Sequence, residues 1–305
     1  MIKNGKWVGC FRRKDPVWKV AASTIEVRLA SVRHFFPLAA QRPKEDLEYV
    51  HQLRVSTRRL VAALDLYAEF LPKKPLRRLR RHLKEVRRSA GDARDCDVLL
   101  VRHESCKGDP CAERFVASVR RKRRKAQAPI SGAFSSIQGK GGLDRLANRL
   151  LVQLRRVHAG ETRPRFGPWA RKKLKAEVED FFDSQPRDRD DLEGMHDFRI
   201  AGKRLRYTME LLSSVFPSEF RDRIYPTIET IQEMLGDIND HAVALQRFRA
   251  WRKDSEDRLE REHLKRLTRR EKKALKLAID QFDKWWTPKR TRKLRKQFHR
   301  LTTSS

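Results

Sequence analysis

His51-Gln-Leu-Arg54-Val55-Ser-Thr-Arg58-Arg59-Leu60 recurs as His196-Asp-Phe-Arg199-Ile200-Ala-Gly-Lys203-Arg204-Leu205, an offset of 145 residues (196 − 51). The histidine and three cations return in register. With about 100° per residue and His51 at zero, Arg54 falls near 300°, Arg58 near 340° and Arg59 near 80°, while Leu53, Leu60 and Leu64 gather near 200°. The second copy repeats the split with Phe198, Leu205 and Met209 on the apolar side. Each stretch therefore reads as a helix with one buried face and one cationic face. The offset holds downstream, where Gly91-Asp92-x-x-Asp95 returns as Gly236-Asp237-x-x-Asp240 and Leu71-Pro72 as Phe216-Pro217. A duplicated core needs only its apolar pattern, so a duplicated cationic pattern points to a duplicated binding surface.

Like charges at i,i+4, such as Arg54 and Arg58, repel by a few tenths of a kcal/mol per pair. Positions 55–57 and 200–202 hold no acid to offset them. Phosphate oxygens suit this lining: arginine donates two parallel bonds, lysine adds a compact charge, and histidine adds a donor with a pH dependence. Lys84, Arg87 and Arg88 share one helix face by spacing and approach the Gly-Asp junction; the second copy has Glu229, Gln232 and Glu233 there, so the first half supplies more charge.

The whole chain agrees with an anionic partner. Its 305 residues carry 72 Lys+Arg against 40 Asp+Glu, a formal net charge of +32. Such an excess repels itself unless spread along helices or met by a polyanion. Nucleic acid, polyphosphate and an anionic membrane all meet that condition. The four cysteines, Cys10, Cys96, Cys106 and Cys111, are too sparse for a secreted disulfide scaffold. The first 30 residues, with Lys3, Lys6, Arg12, Arg13 and Lys14, contain no apolar run of signal-peptide length, and no stretch is apolar enough to span a membrane. A soluble, cytoplasmic protein is expected.

The periodicity predicts an all-α chain. Helices are expected from Pro16 to Phe36, ending before Pro37; over 46–71, closed by Pro72 and Pro75; and from Leu76 to Ala90. Gly91 is expected as a left-handed cap, with Asp92 or Asp95 starting a helix over 95–104. A basic helix from Ala112 to Lys125 is expected next, its run from Val119 to Lys125 forming an outer solvated face. Pro129, Gly132, Gly139, Gly141 and Gly142 suggest a linker between halves. The second half replays the order with helices at 143–158, 169–184 and 192–216, a loop around Pro164 to Pro168, a Leu235-Gly236-Asp237 junction, a charged helix over 240–266, and a last helix ending near Trp285-Trp286. Trp285 and Trp286 are expected to anchor that helix in the core. Residues 287–305 read as a basic C-terminal tail or weakly docked helix.

Other motifs are weaker. His103, Cys106 and Cys111 lack the second ligand pair of a zinc site, and the Gly-Asp junctions read as helix stop and start signals rather than a magnesium site. Val119 to Lys125 lacks interleaved aromatic residues to stack bases. No Walker-type loop, paired-acid metal cluster or nucleophile constellation is visible, so no catalytic residue, metal or cofactor is expected.

The two motif helices, together with Gly91-Asp-Ala-Arg-Asp-Cys-Asp-Val98 and Leu235-Gly-Asp-Ile-Asn-Asp-His-Ala-Val243, resemble the CHAD family of histidine-containing α-helical domains over about residues 15–286. The resemblance implies two antiparallel four-helix bundles related by a pseudo-two-fold axis, with halves at about 15–126 and 143–286 and a basic central groove or pore. It also implies non-enzymatic binding of inorganic polyphosphate and targeting to polyphosphate granules. His51, Arg54, Arg58, Arg59, His196, Arg199, Lys203 and Arg204 carry over as ligand contacts, with Arg94 and the third-helix Lys84, Arg87 and Arg88 beside them. Some family members are fused to a triphosphate-tunnel domain with a Glu-x-Glu-x-Lys signature; here Glu260-Arg-Glu262-His-Leu264 has leucine in place of lysine, so that activity is not expected. The competing reading is a general nucleic-acid-binding helical protein using residues 119–125 and the C-terminal run. Protein partners are not indicated.

Overall fold

Apolar residues three and four apart, bounded by prolines and N-capping acids, give the chain helix after helix. The structure, a computed structural model, describes residues 5–103, 108–139, 142–186, 188 and 191–303. Lys3, Cys106 and Gly141, position 104 of the expected fourth helix and positions 304–305 of the expected tail lie outside the described residues. Among the described residues there are twelve α-helices and no strand, only an isolated bridge between Pro16 and Arg165. Two compact units arise, residues 1–105 with 116–169 and residues 106–115 with 170–305.

In the first unit, α1 (Val17–Gln41), α2 (Glu48–Leu66), α3 (Lys73–Ser89) and α4 (Gly91–Arg102) are followed by α5 (Pro110–Lys125) from residue 116 on, α6 (Gln127–Gly139) and α7 (Gly142–Val157). α1 packs on α2, α6 and α7, and α3 packs on α2, α6 and α7. Leu53, Leu60 and Leu64 are fully buried, as their common angle requires. Each such side chain contributes about 1.5–3 kcal/mol.

Several expected boundaries need correction. α1 does not stop before Pro37 but runs on to Gln41. Proline removes one donor, yet Ala39 and Ala40 continue the buried stripe, and α6 takes over the end of the helix: Gln127 Nε2 donates to Ala39 O at 3.0 Å and Ser131 Oγ to Ala40 O at 2.9 Å. The expected linker is α6 itself, because Ile130, Ala133 and Ile137 form a buried stripe that outweighs its proline and glycines. α3 begins at Lys73 rather than Leu76, since Pro75 stands in the first turn, where no N–H is needed. Gly91 is not a left-handed cap; it is the first residue of α4, after Ala90 at φ −89°, ψ 2°.

The second unit contains the bulk of α8 (Phe166–Asp183), then α9 (Leu192–Leu212), α10 (Tyr225–Asp254), α11 (Arg258–Trp285) and α12 (Pro288–Thr303). α10 runs unbroken through Leu235-Gly236-Asp237, so the expected junction is absent. Glycine costs a helix about 1 kcal/mol relative to alanine, and buried Ile231, Leu235 and Ile238 hold the segment. The helix expected over 240–266 is two helices: Asp257 caps α11 by accepting from Leu259 N at 2.9 Å and Glu260 N at 3.0 Å. The C-terminal run is helix α12, with Leu294 and Phe298 buried and Arg295 lying 4.7 Å from the Phe182 ring centre. Trp286 is buried beside Phe198, while Trp285 is half-buried and carries Arg290 over its face.

The basic run of α5 is not wholly a solvated face. Arg123 Nε donates to Asp97 Oδ1 at 2.5 Å, with the two side chains only 11% and 1% exposed. Arg123 also donates to Gln127 Oε1 at 3.1 Å, which continues the chain from α4 through α5 and α6 to the carbonyls of α1. Removing one partner of a buried pair strands the other charge, at a cost of about 3–5 kcal/mol, whereas replacing both with apolar residues is often neutral. Asp97→Ala is therefore expected to lower urea-unfolding stability by about 3–5 kcal/mol, and Asp97→Leu with Arg123→Met to restore most of it. A loss near zero in the single variant would show that the pair ties nothing together.

Candidate functional site

In the first unit the cationic face of α2 meets the start of α4. His51 is half-buried, and burial first, then the charges of Arg94, Arg58 and Arg54, hold its imidazole below the ordinary histidine range; Glu48 opposes them. Arg54 is likewise held below the usual arginine value by burial and by Arg58, Arg87 and Arg94, against Asp95. Four cations, Arg54, Arg58, Arg87 and Arg94, thus act on one spot with two acids nearby. Arg54 is fixed there: its Nη1 donates to Arg87 O at 2.8 Å and passes 3.7 Å from where a Cβ on Gly91 would stand. Arg94 lies 4.0 Å from Glu48 Oε1, and the buried Nε of Arg58 has no hydrogen-bond partner. Arg59 is half-buried on the adjoining angle of α2.

The structure divides the third-helix group. Arg87 belongs with Arg54. Lys84 and Arg88 instead border a hollow between α3 and α6, together with Arg81.

In the second unit the same positions of α9 face α10 with different chemistry. Asn239 Oδ1 receives two bonds, from Arg199 Nη2 at 2.9 Å and from His196 Nδ1 at 3.1 Å. Asn239 stands at the position of Arg94 (239 − 145 = 94), and Gln232 at that of Arg87 (232 − 145 = 87). Gln232 Nε2 donates to Arg199 O at 3.3 Å, so the contact between these two positions survives with donor and acceptor exchanged. Asp65 with Arg80 likewise becomes Glu210 with Tyr225, whose hydroxyl donates at 2.9 Å. Lys203 is half-buried on the same face as His196 and Arg199. Arg204 is turned away: Nε and Nη2 reach Glu177 and Asp180 of α8, each at 2.7 Å. Its charge is met by two carboxylates. A cavity of about 390 Å³ opens beside His196 and Asn239, walled by Leu192, Met195, Leu235 and Ile238.

Asn239 and Glu48 are the side chains that the motif reading misses. The 145-residue offset carried past Gly236-Asp237 points to Asn239. Among the described residues no group of three or more His, Cys, Asp or Glu is placed to hold a metal ion. No helix among them is long and apolar enough to cross a membrane.

Paired basic helices on an all-α scaffold define the class, and comparison with known families agrees. The CHAD domain profile matches residues 28–249. The chain belongs to the CHAD domain family. Its fold is similar to the crystal structure of the CHAD domain from the plant Ricinus communis, with a TM-score of 0.68 and 20% identity over 95% of this chain and 94% of that one. It is also similar to PptA from Streptomyces chartreusis, with a TM-score of 0.60 and 16% identity over 89% of this chain and 99% of that one. A search of curated proteins finds no match.

Two outcomes follow from this geometry. Because the folded pKa of His51 lies below the unfolded value, the unfolded state binds the extra proton. Stability therefore rises as pH climbs from the folded pKa to about 6.5, and is unaffected by this group above that. Histidine NMR titration should place His51 below the ordinary histidine value of about 6.5 and, once phosphate chains are added, shift it upward; a midpoint at or above that value in the free protein would refute the crowding. Gly202 is the second. A Cβ there would lie 2.3 Å from Gln232 Nε2 and 3.2 Å from Phe181 Cε2. Gly202→Ala should cost about 1–3 kcal/mol in urea unfolding, whereas Gly236→Ala, inside α10 with nothing within 4 Å, should gain about 1 kcal/mol.

Proposed function

We propose that the protein binds inorganic polyphosphate without turning it over, through the cationic faces of α2 and α9. The observation that carries this reading is the gathering of half-buried His51, Arg54, Arg58 and Arg94 with exposed Arg87 beside them, with Glu48 and Asp95 as the acids that oppose them. Holding such cations together costs free energy that an anion returns. A phosphate chain presents oxygens at every step and has no base to be read, which matches a lining of guanidinium, ammonium and imidazole groups. The CHAD domain family is linked to polyphosphate binding in general, which supports the same reading.

In the second unit His196, Arg199 and Lys203 are the proposed contacts, with Asn239 positioning the first two; Arg204, already paired, is left out. The proposal extends to the arrangement implied by the resemblance, a module over residues 15–286 built of two four-helix bundles related by a pseudo-two-fold axis around a basic groove, and to residence on polyphosphate granules in the cytoplasm. The recurrence of the motif at one offset is what supports it.

The test is a titration with long-chain polyphosphate at several salt concentrations. Log affinity should fall linearly with log salt, each phosphate contact adding about 0.7–0.9 to the slope. Arg54→Gln with Arg58→Gln, and Arg199→Gln with Lys203→Gln, should each weaken binding at least tenfold and flatten the slope, while deletion of 289–305 has little effect. Duplex DNA that displaces polyphosphate at equal phosphate concentration would overturn the reading in favour of nucleic acid.

A further inference from the structure

α3 carries more cations than the cluster around His51 uses. With about 100° per residue, Lys74, Arg78, Arg81 and Arg88 lie within a sector of about 80°, and Lys84 lies about 40° outside it. Arg80 and Arg87 occupy the adjoining side. Arg80 is bound to Asp65 and to Leu64 O of α2, and Arg87 acts on Arg54. The two sides of the helix therefore face different neighbours.

The second side is not a convex solvated surface. Lys74, Arg78 and, from α7, Arg149 border a hollow of about 240 Å³. Further along, Arg81, Lys84 and Arg88 border another of about 550 Å³, closed on the far side by Pro129 and Gly132 of α6. α3 packs on both α6 and α7, so the two hollows follow one another along the same helix. From Lys74 to Arg88 the stripe is about 21 Å long. Six cations line it and one acid, Glu85, which lies 3.5 Å from His82 Nδ1. Among the described residues, no ion pair joins any of the six to a carboxylate. Lys74 with Arg78 and Lys84 with Arg88 are like-charged i,i+4 pairs, each costing α3 a few tenths of a kcal/mol.

We propose that this groove along α3, floored by α6 and α7, is a second polyanion track in the first unit, separate from the cluster around His51, and that it takes a linear phosphate chain. The choice of ligand rests on the functional reading above. The groove itself adds one argument: no aromatic ring lines either hollow, so it offers phosphates charge but offers bases no stacking surface. A unit with two tracks holds two segments at once, which raises avidity for one long chain and bridges separate chains.

The experiment uses the full chain, long-chain sodium polyphosphate, calorimetry at several salt concentrations, and light scattering. Arg78→Gln, Arg81→Gln and Arg88→Gln together remove three exposed charges from the groove. This variant should keep binding through the His51 cluster but lose about 2–3 from the slope of log affinity against log salt, bind fewer phosphate units per protein, and scatter less light. A control removing three exposed cations of α5, Arg120→Gln, Arg121→Gln and Arg124→Gln, should keep the wild-type slope. The Arg54→Gln with Arg58→Gln protein should retain a weaker binding phase that loses a further about 2–3 from its salt slope when the groove substitutions are added, leaving only what the face of α9 supplies. A groove variant with wild-type slope and stoichiometry, or a control that loses as much as the groove variant, overturns the track. Wild-type protein that binds no polyphosphate overturns the functional reading itself, a result distinct from either.

Discussion

Like charges brought together at the edge of a packed core are the constraint around which this chain is organised. The apolar stripe of α2 fixes its rotation, and with it the direction of Arg54 and Arg58, so the cations cannot swing apart without unburying Leu53, Leu60 and Leu64. α4 adds Arg94, which reaches Glu48, and α3 adds Arg87. Free energy gained in the core sustains repulsion at its rim. That is a common arrangement where a surface must stay ready for a ligand that the protein does not itself contain.

The two copies settle the same problem differently. In the first unit the positions around the motif helix are filled by guanidinium groups; in the second, amides at 232 and 239 replace arginines, and a tyrosine at 225 replaces the arginine at 80. Contacts persist while charge is lost: position 54 still touches position 87, and 199 still touches 232, with the roles of side chain and backbone exchanged. The second copy is therefore ordered in part by hydrogen bonds to neutral amides, and fewer like charges repel one another there.

Much of this was legible in the residues. The apolar angle of the motif helices, the duplication itself and the family follow from local pattern, because helix rotation is decided within a few turns, although the helix expected over 46–71 ends at Leu66 and Pro72 caps the next one. What escaped depends on partners far along the chain. Arg204 looks like a ligand contact until Glu177 and Asp180, 27 and 24 residues back, are folded against it. Pro37 looks like a stop until Gln127 and Ser131 arrive to bond the carbonyls beyond it. Gly91 and Gly236 look like caps, yet burial on both sides of Gly236 outweighs the small preference of glycine to leave a helix. The glycines and proline of 129–142 mislead for the same reason, since the apolar residues among them find a core.

Asn239 has one more effect, on which side of an imidazole carries hydrogen. Arg199 can only donate, so the atom it meets at 2.9 Å must be the amide oxygen. That oxygen then obliges His196 to present hydrogen on Nδ1. The neutral ring is left with a bare lone pair on Nε2, which repels an approaching anion as surely as its protonated form attracts one. A neutral carboxamide thus selects the tautomer of its neighbour, and makes imidazolium the only state of His196 with a donor to offer on that side.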